Sequence, residues 1–133
     1  MAQDFLGIGW NWPVTVDDAD RIALSRFEEN IRQSILLIIR TARGERQMRP
    51  EFGCDIHALV FAENNMTTAG LAAFYVEQAL ARWEPRIELV SVHGAPDTDA
   101  GNRLLVEIEY RVIATNTIFN LVYPFYLTEG VGG

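Results

Sequence analysis

The feature that most limits the fold is the pentapeptide Arg82-Trp83-Glu84-Pro85-Arg86, where one backbone periodicity gives way to another. Proline lacks an amide hydrogen and disfavours helical geometry in the residue before it, so a helix carrying Leu80 and Trp83 must end by Glu84. Upstream, apolar residues recur every three or four positions; downstream they alternate. The predicted class is α+β: two long helices and a short helix on a small, mostly antiparallel three-stranded sheet, preceded by an extended arm. A carboxylate and a guanidinium on so stiff a turn can form directional bidentate bonds with little loss of freedom. Glu84 and Arg86 are therefore either a docking pair or a local cap beside a solvated strand residue.

In the helical half, Ser25-Arg26-Phe27-Glu28 matches a capping box, and Phe27, Ile31, Ile35, Ile38 and Ala42 follow on one face. Leu36, Leu37 and Ile39 widen that face, and Gly44 is a natural stop. A charged loop through Arg49-Pro50-Glu51-Phe52-Gly53 leads to helical turns that send Ile56, Leu59, Val60 and Phe61 inward. Thr67 or Thr68 caps the second long helix, with Leu71, Tyr75, Ala79 and Trp83 as its face.

Period-two patterning predicts strands over residues 87–93, 103–114 and 118–127, with a polar turn at 94–102. The last strand turns Phe119, Leu121, Tyr123, Phe125 and Leu127 to one side and Ile118, Val122 and Tyr126 to the other, with no charge on either. Pro124 suits an edge strand. Natural edges usually carry charges or bulges, so an apolar one either pairs with another protein's strand or is covered by its own domain.

A chain of 133 residues fits one domain: arm and lead-in over 1–24, helical part 25–84, sheet part 86–128 and a flexible tail 129–133. The arm holds Phe5, Trp10, Trp12 and Pro13, which cover either this domain's core or a partner. Net charge is −7, which argues against a general nucleic-acid surface. All eleven cations are arginine, suited to paired interface contacts. With Cys54 alone no internal disulfide forms, and neither a signal peptide nor a membrane span is expected, which makes a cytoplasmic origin the default.

Catalytic signals are weak. Cys54 and His57 have the spacing of helical neighbours, yet a buried thiol near a surface histidine is the commoner arrangement. Glu45, Glu51 and Asp55 supply carboxyls for a rival glycosidase reading, but nothing fixes two of them at the separation that chemistry needs. No spacing matches a metal site, and no cofactor is expected.

Several segments taken in order resemble the sheath-initiator family of contractile injection systems, small baseplate wedge proteins of phage tails, type VI secretion and phage-tail-like particles. They are Gly9-Trp10 with Pro13, Asn30-Ile31-Arg32-Gln33-Ser34-Ile35, Thr41 with Gly44-Glu45-Arg46, Arg49-Pro50-Glu51-Phe52-Gly53, Trp83-Glu84-Pro85-Arg86 and Asn120-Leu121-Val122-Tyr123-Pro124-Phe125. The resemblance implies a non-enzymatic baseplate component. Glu84, Pro85 and Arg86 would contact the helical core bundle of the wedge, and Ile118, Phe119, Asn120, Leu121, Val122, Tyr123, Pro124, Phe125, Tyr126 and Leu127 would join the sheet of the first sheath subunits. It also implies partners among wedge proteins, sheath subunits and tube or hub proteins, in multiple copies around a sixfold baseplate, with no nucleic acid and no membrane insertion. The short N-terminus looks more like the phage or phage-tail-like branch than type VI secretion.

Overall fold

The computed structural model describes residues 18–44, 48–99 and 101–128. The expected arm before residue 18, Glu45, and the tail from residue 129 lie outside the described residues. The chain divides into two compact units, Met1–Asn30 and Ile31–Gly133.

In the first unit the described residues are helical: α1 spans Asp18–Arg40, with Asp18 and Asp20 in its first turn, where carboxylates suit the positive helix end. The extended lead-in expected over 21–24 is thus helix, and the Ser25–Glu28 box lies inside it. Asp18 and Asp20, acids in the first turn, start the helix earlier than the box does.

The second unit contains the rest of α1, a short 3-10 helix at Asp55–Leu59, α2 at Met66–Trp83 and three strands, β1 Ile87–Pro96, β2 Arg103–Val112 and β3 Thr117–Tyr126. The strands form an antiparallel meander in the order β1-β2-β3, so the class is α+β with a three-stranded sheet. α2 packs on β1 and β2.

In α1, Ile31, Ile35, Leu36, Ile38 and Ile39 are buried, as expected, while Leu37 is exposed. The helix stops before Gly44. At Thr41 the hydroxyl donates to the Leu37 carbonyl at 2.7 Å, closing the last turn. The chain then loops back, and the Cys54 amide donates to the Thr41 carbonyl at 2.8 Å. Gly53 permits that approach: its φ is +130°, and a Cβ there would lie 2.5 Å from the Thr41 oxygen. Beyond it, Ile56 and Leu59 are buried, but Phe61 is 70% exposed, contrary to expectation.

α2 is capped by Asn65, whose Oδ1 accepts from the Thr68 amide at 2.8 Å; neither Thr67 nor Thr68 is the cap. Its buried face is Ala69, Ala72, Ala73, Val76, Ala79 and Leu80, and the Leu71 assigned to that face is exposed. Small residues take the inner face because the helix lies so close to the sheet. A Cβ on Gly94 of β1 would come 2.3 Å from the Ala69 carbonyl oxygen. The same contact explains why β1 continues through Gly94, Ala95 and Pro96, residues expected in a turn: they pair with Val106, Leu105 and Leu104.

β2 alternates cleanly, with Leu104, Val106, Ile108, Tyr110 and Val112 buried and Glu107 exposed on the other face. β1 carries a bulge between Leu89 and Ser91.

Candidate interaction site

At the corner, α2 ends on Trp83, and the Glu84 amide still donates to the Leu80 carbonyl at 2.9 Å before Pro85 turns the chain. Glu84 is then folded inward and is only 2% exposed. Its two oxygens receive Arg86 as a fork: Nε to Oε1 at 2.8 Å and Nη2 to Oε2 at 2.9 Å, with the Arg86 amide reaching Oε1 at 3.3 Å. Burial pushes the Glu84 carboxyl up, but hydrogen bonds from Arg86 and from the Ser34 hydroxyl, with the Arg86 charge, outweigh it and leave the carboxyl below its ordinary value. The same pairing raises Arg86. The two residues expected to face a partner therefore face each other. The Arg86 side chain stays 43% exposed, with Nη1 outside the carboxylate fork, whereas the Glu84 side chain is buried. Ile113, whose amide donates to the Arg86 carbonyl at 3.0 Å, adds an exposed apolar side chain that no sequence pattern tied to this corner.

An open groove of about 530 Å³ lies along the end of α2, with Tyr75, Gln78 and Trp83 among its walls. Trp83 is fixed there by Phe52 edge-on at 5.2 Å and by the guanidinium of Arg82 at 4.9 Å from the ring centre. The groove's acids are held: Glu51 by Arg82, and Asp55 by Arg43 at 2.9 Å. Of the carboxyls named for a glycosidase, Glu45 lies outside the described residues and the other two are in these ion pairs.

The second feature is β3, which has β2 on one side and no strand on the other among the described residues. Its register with β2 is unbroken from Arg103↔Tyr126 to Val112↔Thr117. The Leu127 amide donates inward to the Asn102 carbonyl at 2.7 Å. Antiparallel bonding alternates, so Phe119, Leu121, Tyr123 and Phe125 point their amides at β2, and Ile118, Asn120, Val122 and Tyr126 point theirs away. Pro124 shares the outward parity, which is why proline is tolerated in mid-strand: the N–H it lacks would have had no partner within the sheet. Ile118, Val122 and Tyr126 are each about half exposed, while Leu121, Phe125 and Leu127 are core. The far end of β3 is pinned by Arg103, which pairs with the buried Asp97 and lies 5.8 Å from the centre of the Tyr126 ring.

Cys54 is 1% exposed, and burial pushes its thiol up to about 11, with the Ile56 amide drawing it down and the Asp55 charge adding to the rise. His57 Nε2 lies 2.8 Å from the Ile39 carbonyl and must donate to it. That geometry keeps the thiol protonated at neutral pH and orients the histidine as a donor to backbone. Among the described residues no cluster of His, Cys, Asp and Glu could hold a metal ion, and no helix is long and apolar enough to cross a membrane.

One α+β scaffold thus carries an arginine paired to a buried glutamate and a strand edge with no neighbouring strand among the described residues. Residues 25–117 match the model of the baseplate wedge protein gp25 family, and the chain belongs to that family. It is 38% identical over 84 residues to the baseplate wedge protein gp25 of Enterobacteria phage T4, a match covering 63% of each chain, so it spans less than two thirds of that relative's length. In structure it is similar to a protein of Geobacter sulfurreducens described as a tail lysozyme, with a TM-score of 0.71 and 60% identity over 77% of this chain and 93% of that one.

Proposed function

We propose that this chain is a structural, non-catalytic component of a contractile baseplate. It attaches to the helical core of the wedge through Pro85 and Arg86, with Glu84 holding the guanidinium in place. It starts sheath assembly by pairing β3, Ile118 to Leu127, with the first sheath subunits. Wedge proteins and sheath subunits are its partners, with tube or hub proteins nearby, in a sixfold arrangement assembled in the cytoplasm of the producing cell. The observation that carries this reading is the side of β3 that has no strand beside it among the described residues: uncharged, unbulged, and with outward amides at Ile118, Asn120 and Val122.

Deleting β3 would strip Leu121 and Phe125 from the core, so point changes are the better test. Ile118→Lys/Val122→Lys places charges on an exposed face and leaves the inward ladder intact. Electron microscopy of particles carrying this variant should find baseplates and tubes without sheath; full-length sheaths would overturn the strand-pairing role. Arg86→Lys keeps the charge but loses the fork, and should lower incorporation into baseplates. Unchanged incorporation would remove the corner from the docking surface.

A further inference from the structure

On the outer face of the sheet the charges do not balance. Arg111 is taken by Glu88, and Arg103 by Asp97. Glu107 and Glu109, on the central strand β2, have no cationic partner among the described residues. Their contacts are long and neutral: Asn120 Nδ2 donates to Glu107 at 3.3 Å, and the Ser91 hydroxyl to Glu109 at 3.4 Å. In register, Glu107 stands opposite Val122 and Glu109 opposite Asn120, so one strand separates both carboxylates from the free edge. On the other side, Glu107 faces His93. There the edge is broken by the bulge at Leu89/Ser91.

We propose that the strand received by β3 is basic on its outer face, with arginine or lysine at the two positions opposite Asn120 and Val122. This inference rests on the strand-pairing reading and specifies the partner's chemistry. Adjacent strands lie about 4.8 Å apart, so a partner's outward side chain stands roughly 10 Å from β2, a gap that a long cationic side chain and a glutamate close between them. Asn120 and Val122 are uncharged, and among the described residues β3 offers these carboxylates only the long, neutral contact from Asn120. Such charges select the register: a one-residue slip turns the cations to the opposite face of the sheet.

The test uses the full chain, isotopically labelled for amide spectroscopy, and two short blocked peptides. In both, threonine and valine alternate with two variable positions, which are arginine in one peptide and glutamine in the other. The arginine peptide should shift the Ile118, Asn120 and Val122 amides and bind about fivefold tighter at low salt than the glutamine peptide. That preference should vanish in Glu107→Gln/Glu109→Gln, whose exchanged groups are on the solvent side of the sheet. Equal binding of both peptides to the parent overturns the proposal while leaving strand pairing standing. If neither peptide perturbs β3, both fall. Shifts confined to β1 overturn the choice of edge.

Discussion

At the scale of single residues, the corner is governed by where Glu84 goes. A carboxylate this buried is tolerable because Arg86, Ser34 and a backbone amide all donate to it. Arg86→Ala should therefore destabilise the fold as well as alter the surface, by about 2 kcal/mol; the exposure of Arg86 keeps the figure below that for a fully buried pair. Glu84 is depressed in the folded state, so its contribution is full above the ordinary glutamate value of 4.5 and is lost as pH falls through the folded value. Thermal unfolding of the parent should lose stability over that acid range, and Glu84→Gln should flatten the profile while lowering stability at neutral pH. An identical acid profile in the variant would show that Glu84 is not the group responsible. The turn at Glu84 and Pro85 was legible in the sequence because proline acts locally. The inward path of Glu84 was not, because it depends on Ser34, far upstream on another helix.

Among the elements, α2 and β1 show how packing distance reassigns a helix face. Leu71, assigned to the core face in sequence, stays exposed, while Ala69, Ala72, Ala73 and Ala79 go inward. The alternation of β2 and β3 needed no such information, since period two reports the buried side directly. The parity of Pro124 depended on the register and was readable only as a preference for an edge. Two glycines test the close approach. Gly94→Ala drives a Cβ against the Ala69 carbonyl, backbone against backbone, and should cost roughly 2 to 3 kcal/mol. At Gly70 of α2 an added Cβ would meet nothing within 4 Å, and Gly70→Ala should gain up to about 1 kcal/mol. Denaturant melts of the two variants should move in opposite directions. Parallel shifts would contradict the tight seating of α2 on β1.

For the whole molecule, the two sides of the sheet are unequal: β1 is bulged, whereas β3 is unbulged and uncharged and is interrupted only at Pro124. A free chain with such an edge has a route to pair with its own copy, opposed by a net charge of −7. Salt relieves that opposition, since the screening length falls from about 30 Å at 0.01 M to about 8 Å at 0.15 M. Sedimentation equilibrium of the purified chain should therefore show association that grows with ionic strength. Ile118→Lys/Val122→Lys separates charge from edge as the cause. It lowers the magnitude of the net charge by two units, so repulsion alone predicts stronger association. Blocking the edge predicts weaker association at every salt concentration, and that is the expected result. A variant that associates more than the parent would mean that copies meet elsewhere and that β3 is not the reactive side of the molecule.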